Sequence, residues 1–184
     1  MANVARYQWL HPEHGASYNG CITRNTPMTI RFVYGNIFVA ETEALVCPVN
    51  LRGVMGAGLA KHCHQRWRGL LASYREACFT GELRIGSVFT YSLPSADPTG
   101  FKYVVCLPTK VDWQNPSRLE YVEEGVIALA TEARYLGLQT VAVSALGCGC
   151  GGLEWEPVRE VLVKHLAREN KCQFIAYEPM RGSK

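Results

Sequence analysis

Two glycine-rich segments of the chain contain the residue types that could bind an anion. They are Gly53-Val54-Met55-Gly56-Ala57-Gly58 and Gly147-Cys148-Gly149-Cys150-Gly151-Gly152, and each follows an apolar run and precedes a segment with a helical pattern. Glycine lets the backbone approach a phosphate closely, and successive N–H groups can surround the anion. Two such loops in one small domain indicate two walls of a single phosphate-binding cleft. A pair of ordinary tight turns is the alternative interpretation.

Neither loop fits a standard nucleotide motif well. The first lacks the Lys-Ser/Thr pair of a P-loop, because Leu59-Ala60 occupy those positions. The second matches G-x-G-x-x-G between a strand and a helix, as a dinucleotide fingerprint requires. Only 32 of the 184 residues follow Gly152, however, and a nicotinamide enzyme would need more strands beyond that point.

Metal ligation is a third possibility, and the spacing argues against it. Cys148 and Cys150 have no second cysteine pair at ligand spacing, as a zinc site would need. His62 and His64 are two residues apart, so they do not face each other on a helix. We expect no metal and no cofactor.

Composition limits the class of protein. The 184 residues, 48% of them hydrophobic, suit one soluble domain, and a net charge of +3 is too mild to argue for nucleic acid by itself. No apolar run approaches the length of a membrane span, and no signal peptide is evident at the start. We therefore expect a cytoplasmic protein with reduced cysteines and no membrane partner. The oligomeric state stays open.

The hydrophobic pattern alternates between strands and helices. Several predicted strands are apolar throughout, which is typical of a mostly parallel sheet covered on both faces. We predict an extension over residues 1–27 and one α/β domain over residues 28–184. The predicted strands are 28–34, 44–50, 87–93, 102–108, 138–146 and 172–178, and the helices are 59–78 with a break at Gly69, 117–137 and 154–168.

The longest predicted helix has clear end signals. Ser117 can cap its first turn, and Glu120 stands three residues later, where a capping box places an acid. Gly137 is placed to end it.

The order of these segments resembles a macrodomain. The residues that carry the resemblance are "YGNIF", "ALVCPVN", "GVMGAG", "VVCLPTK" and "LGCGCGGLEW", and it extends over about residues 29 to 178. Within the family, the chain is most similar to the branch of the DNA ADP-ribosyl glycohydrolase antitoxins and the human terminal ADP-ribose glycohydrolase. The resemblance implies a three-layer α/β/α fold around a mixed, mostly parallel sheet, with ADP-ribose as the ligand.

The resemblance also implies where ADP-ribose would lie. Asn36 and Ile37 would receive adenine, with Asn36 standing where family members usually have aspartate, and Tyr177 could stack on the base. Asn50 and the loop Gly53 to Gly58 would lie near the distal ribose. Leu146 and the loop Gly147 to Gly152 would surround the diphosphate with backbone N–H groups.

Lys110 ends the strand "YVVCLPTK" and matches the catalytic lysine of that branch. By resemblance, it attacks or electrostatically supports the anomeric carbon of the distal ribose. The human enzyme has an aspartate where this chain has Gly151, whereas the antitoxins have glycine. Glu154 and Asp112 are nearby acids, but nothing in the sequence points either of them inward.

The sequence therefore predicts a glycohydrolase that removes ADP-ribose from a modified acceptor, most simply a nucleobase in DNA. Two alternatives stay open: a non-catalytic ADP-ribose reader, and a phosphatase acting on ADP-ribose 1''-phosphate. Single-stranded DNA is a candidate partner, for which Trp113 and the group Lys61, Arg66, Trp67 and Arg68 could form a rim. Ordinary helix surface with one buried tryptophan is the simpler interpretation of that group.

Overall fold

A computed structural model describes residues 29–94, 97–169 and 171–179, and the predicted extension over residues 1–27 lies outside them. The described residues form six strands and four α-helices, and a 3₁₀ turn at Ile37–Val39 follows the first strand. The elements in order are β1 Ile30–Val33, β2 Ala44–Val49, α1 Gly58–Arg66, α2 Leu70–Thr80, β3 Phe89–Ser92, β4 Tyr103–Pro108, α3 Leu119–Tyr135, β5 Thr140–Val143, α4 Trp155–Leu166 and β6 Gln173–Tyr177.

The strands form one sheet in the order β1-β6-β5-β2-β4-β3. All neighbouring pairs are parallel except β3 with β4, which is antiparallel. This confirms the mixed, mostly parallel sheet. Parallel strands end at the same edge, so the loops that leave β5, β2 and β4 emerge side by side.

Side chains of each central strand alternate between two hydrophobic cores. Ala44 and Val46 of β2 point into the core shared with α3 and α4, whereas Leu45 and Cys47 point into the core shared with α1 and α2. Because successive side chains of a strand face opposite ways, an apolar strand needs cover on both sides. The helices supply that cover, and the three-layer α/β/α prediction is confirmed.

The predicted break in the first helical segment is confirmed, since α1 ends at Arg66 and α2 begins at Leu70. The predicted capping box of α3 is wrong. Arg118 is the N-cap residue, and within the described structure it makes no side-chain capping hydrogen bond. Ser117 lies one residue before the N-cap position and is buried, and its hydroxyl bonds to Thr109 Oγ1 at 3.0 Å rather than accepting from the first turn of α3.

Seven cysteines fall within the described residues, and all of them are free thiols. None of the described helices is both long enough and apolar enough to cross a bilayer.

Candidate functional site

A cavity of about 450 Å³ opens at the edge of the sheet where β5, β2 and β4 end. The first glycine loop and the start of α1 form one wall, the second glycine loop forms another, and the β4–α3 loop completes it. Of the residues that the sequence predicts as ligands, those lining this cavity are Asn50, Val54, Gly56, Ala57, Gly58, Lys110, Gly147, Gly149, Cys150 and Gly151.

The second glycine loop presents unpaired amides to the cavity. Its N–H groups at Cys148 and Gly152 donate to the carbonyls of Ala145 and Gly149, which close the turns of the loop. Within the described structure, the four remaining N–H groups have no acceptor, and their residues are those of the loop that line the cavity: Gly147, Gly149, Cys150 and Gly151. Gly147 and Gly151 are buried whereas Gly149 and Cys150 are exposed, and a run of backbone N–H groups without an acceptor in the protein is suited to an anionic ligand.

The start of α1 adds further donors. Ala57 is the N-cap residue and has no side-chain acceptor, and the first residues of the helix, Gly58 to Ala60, line the cavity. The first N–H groups of an α-helix have no acceptor within the helix, and the helix dipole favours a negative charge at this end. The two glycine loops therefore direct donors into one cleft.

Asn50 shapes the first loop. Its Nδ2 donates to the Val54 carbonyl at 2.7 Å, and its Oδ1 accepts from the N–H of Arg52 at 2.8 Å. Beneath it, the Tyr74 hydroxyl donates to the Asn50 carbonyl at 2.6 Å. Burial raises the pKa of Tyr74 well above its ordinary value, so the hydroxyl remains a donor. Sequence reasoning missed Tyr74, because nothing local to α2 distinguishes it from a core aromatic.

Lys110 is the one charged residue among the described residues that line the cavity. It is only 8% exposed, lines the cavity, and donates from Nζ to the Cys150 carbonyl at 2.9 Å. Among the described residues, no carboxylate forms an ion pair with it. Because this buried amine donates to only one carbonyl, its other N–H groups are available to a ligand.

The nearby acids are committed elsewhere. Asp112 accepts from the Gln114 N–H and from Arg52 Nε, and these bonds lower the pKa of its carboxyl, the backbone bond most. Glu154 is the N-cap residue of α4 and lies outside the cavity lining. Neither acid is placed against Lys110.

Gly151 has no room for a side chain. A Cβ there would lie 2.2 Å from Ser117 Oγ and 2.3 Å from the Gly147 carbonyl oxygen, well inside van der Waals contact. An aspartate cannot stand at this position while the loop keeps this conformation. Ser117 and Thr109 form a hydroxyl pair beside it in the cavity wall. Sequence reasoning also missed this pair, since it forms only when the β4–α3 loop folds back on itself.

The residues predicted to receive adenine lie outside this cavity lining. Asn36 is exposed, and its Oδ1 accepts from the Phe38 N–H at 3.0 Å, while Ile37 is buried in the core. Tyr177 lies close to the same turn, because a Cβ placed on Gly35 would be 4.0 Å from its Cε1. These residues therefore form a second group on the same edge of the sheet.

The remaining predicted ligands lie in the loops without lining the cavity. Burial raises the pKa of the Cys148 thiol to about 11, in keeping with a small packed residue. Gly53 is buried against Arg75, whose Nε donates to its carbonyl. The others are Met55 and Leu146, which are buried in the cores, and Gly152, which is exposed.

The two tryptophans of the proposed rim differ. Trp67 is 4% exposed and its Nε1 donates to Asp97 at 2.9 Å, so it is a core residue. Trp113 is 54% exposed and lines the cavity. The basic residues Lys61, Arg66 and Arg68 are exposed but do not line it.

In the parts of the chain that the structure describes, no three His, Cys, Asp or Glu side chains are grouped closely enough to hold an ion.

The fold and the cleft define an α/β protein that directs backbone amides and one lysine to the carboxyl edge of its sheet. The family model described as Macro domain matches residues 46–162, more than half of the chain. This chain belongs to the Macro domain family.

Two curated relatives extend the comparison. A DNA ADP-ribosyl glycohydrolase of Mycobacterium tuberculosis is 38% identical over 155 residues, which are 84% of this chain and 44% of that protein. A DNA ADP-ribosyl transferase-DNA ADP-ribosyl glycohydrolase fusion protein of Thermosipho africanus is 29% identical over 152 residues, 76% of this chain and 39% of that protein. The chain thus spans less than half of the length of these relatives.

Two solved structures are similar in fold. The macrodomain of Mycobacterium tuberculosis DarG has a TM-score of 0.77 and 38% identity, covering 82% of this chain and 97% of that one. Thermosipho africanus DarTG in complex with ADP-ribose has a TM-score of 0.75 and 29% identity, covering 86% of this chain and 42% of that one.

Proposed function

We propose that this chain is an ADP-ribosyl glycohydrolase that releases ADP-ribose from a nucleobase in DNA. The observation that carries the proposal is that Lys110 shares one cavity with the unpaired amides of the second glycine loop. The similarity to a DNA ADP-ribosyl glycohydrolase supports the activity, and the similarity to a relative solved with ADP-ribose supports the ligand.

In this proposal, the diphosphate binds the free N–H groups of the second loop and the start of α1. The distal ribose then lies between Lys110 and the loop that Asn50 braces. Adenine extends towards Asn36, Ile37 and Tyr177. One lone pair of Asn36 Oδ1 is already used by the Phe38 N–H, so the second lone pair accepts from the adenine amino group.

The reaction breaks the bond between the anomeric carbon of the distal ribose and the base. Overall, water supplies a hydroxyl to that carbon and a proton to the base. Lys110 acts at this carbon, either as a neutral amine that attacks it before water does, or as a group that supports it electrostatically while water attacks. Fixed amides position the substrate, which supplies much of the rate enhancement without a second acid.

We further propose that the chain reverses a modification made by a DNA ADP-ribosyl transferase, as an antitoxin would. The Thermosipho africanus relative, which joins the two activities in one protein, supports this pairing. The role requires access to DNA, in agreement with the cytoplasmic location expected from the sequence.

The test incubates the protein with ADP-ribosylated DNA, ADP-ribosylated protein and ADP-ribose 1''-phosphate in parallel. We expect release of ADP-ribose from the DNA, and loss of that release in Lys110→Ala with binding of free ADP-ribose retained. Binding without release from any substrate would identify a reader, and release of phosphate from the small compound would identify the phosphatase. Either result would overturn the proposal.

A further inference from the structure

Trp113 is an exposed aromatic residue at the catalytic cavity. Among the described residues, the aromatic side chains that are mostly exposed include Phe79 and Tyr135, at 93% and 84%, but of the exposed aromatics only Trp113 also lines the cavity. An indole that keeps half of its surface in water gains little from the fold itself. Because Trp113 also lines the cavity, we interpret it as a residue that contacts a bound ligand.

The turn that carries Trp113 is held firmly in place. Asp112 Oδ1 accepts from the Gln114 N–H at 3.1 Å, and Asp112 Oδ2 accepts from Arg52 Nε at 3.0 Å. One residue earlier, the Val111 carbonyl accepts from the Leu51 N–H at 3.0 Å. The Val111 and Arg52 bonds tie the β4–α3 loop, just before the indole, to the segment that precedes the first glycine loop, and the Gln114 bond closes a turn around Trp113. A pre-positioned ring loses less conformational entropy when a ligand binds it.

We propose that Trp113 stacks on the acceptor nucleobase from which ADP-ribose is removed. This inference rests on the proposed function, and it names the group that binds the substrate beyond the distal ribose. Lys110 and Trp113 are three residues apart and line the same cavity, so a base leaving the sugar at Lys110 departs past the indole.

Stacking on an indole requires an open base face. A base inside a duplex is already stacked between its neighbours, so the acceptor must be single-stranded or turned out of the helix. The acceptor is therefore an unstacked modified base, either in single-stranded DNA or turned out of a duplex. A protein acceptor, with a flexible side chain in place of a planar ring, would gain far less from Trp113.

The test measures binding of two probes, an ADP-ribosylated single-stranded oligonucleotide and free ADP-ribose, in a Lys110→Ala background that leaves the oligonucleotide intact. Adding Trp113→Ala should weaken binding of the modified oligonucleotide about 5- to 150-fold, the range expected for one lost base–aromatic stack. Binding of free ADP-ribose should not change. Trp113→Phe should recover most of the loss, and Phe79→Ala, which removes an exposed aromatic outside the cavity, should bind both probes normally.

Equal weakening of both probes would place Trp113 against ADP-ribose itself and overturn the inference. Unchanged binding of the oligonucleotide in Trp113→Ala would also overturn it. The proposed function fails separately, when the parent protein releases nothing from ADP-ribosylated DNA. In that case, if Trp113→Ala still weakens binding of the oligonucleotide and not of free ADP-ribose, the protein is a reader that stacks on the base without releasing ADP-ribose.

Discussion

Lys110 Nζ donates to the Cys150 carbonyl across 2.9 Å, and this bond joins the loops that follow β4 and β5. These strands are not neighbours, because β2 lies between them in the sheet. The bond therefore spans the end of β2, where the first glycine loop begins. One side chain both bridges the cleft and presents the only amine among the cavity-lining residues that the structure describes.

Replacing Lys110 by arginine separates two roles of this side chain. Lys110→Arg keeps a positive charge and a donor for the Cys150 carbonyl, but a guanidinium does not lose its proton and cannot attack the sugar. If the amine is the nucleophile, as we expect, single-turnover release from ADP-ribosylated DNA falls by about 100-fold or more, as in Lys110→Ala. Substantial activity in Lys110→Arg would instead assign it a purely electrostatic role.

Gly151→Ala should damage both the fold and the site. The added methyl would meet Ser117 Oγ and the Gly147 carbonyl at less than contact distance, so the loop must move. We expect a loss of about 1–3 kcal/mol in the free energy of unfolding, as for other overpacked positions. Urea denaturation measures this loss. ADP-ribose affinity, measured by calorimetry, should fall with it because the free amides shift.

Gly149→Ala is the matched control for stability. A Cβ at Gly149 has no heavy atom within 4 Å. Its urea midpoint should equal that of the parent protein, and a comparable loss in both variants would show that crowding at Gly151 is not the cause.

Tyr74→Phe should weaken the first glycine loop from beneath. The substitution removes the donor to the Asn50 carbonyl at 2.6 Å and leaves that buried oxygen with one partner fewer. The expected cost is about 1–3 kcal/mol of unfolding free energy. Tyr135→Phe removes a hydroxyl from a side chain that is 84% exposed, and its urea midpoint should not move. Equal midpoints for Tyr74→Phe and the parent protein would contradict the bracing role.

Glu43 should make stability depend on pH in the acid range. Its carboxylate accepts from Lys102 Nζ at 2.7 Å and from the Gln139 N–H, and the Lys102 bond contributes most to lowering its pKa. A lowered pKa means that the carboxylate stabilises the fold at neutral pH. This contribution is lost as the pH falls through the folded-state pKa, where the carboxyl takes up its proton.

Glu43→Gln should therefore be less stable than the parent protein at neutral pH, and the difference should shrink as the pH falls below the ordinary carboxyl pKa. Thermal unfolding across this range measures it. Glu41→Gln is the control, because Glu41 is an exposed acid that forms no ion pair among the described residues. The stability of Glu41→Gln should equal that of the parent protein at every pH. A Glu43→Gln deficit that persists unchanged in acid would rule out the carboxylate as its source.

Local patterns were enough to place most elements of this fold. Buried parallel strands such as β2 are continuous apolar runs, and glycine loops follow them directly in the chain. Lys110 was predicted from its resemblance to the catalytic lysine of the family branch, and the strand order that places β4 next to β2 and near β5 came only from the structure. The capping-box prediction was wrong because it considered only how Ser117 could bond to the residues that follow it, and not its contact with Thr109, which precedes it.

The sequence by itself determined the order of strands, glycine loops and helices, because each depends on neighbouring residues. Only the tertiary structure decided which amides stay unpaired, which tryptophan is buried, and why Gly151 admits no side chain. Each of these depends on a contact between segments far apart in the chain, such as Gly151 with Ser117 or Trp67 with Asp97. Burial and hydrogen-bond satisfaction are properties of assembled neighbours, and they arise only when the sheet brings those segments together.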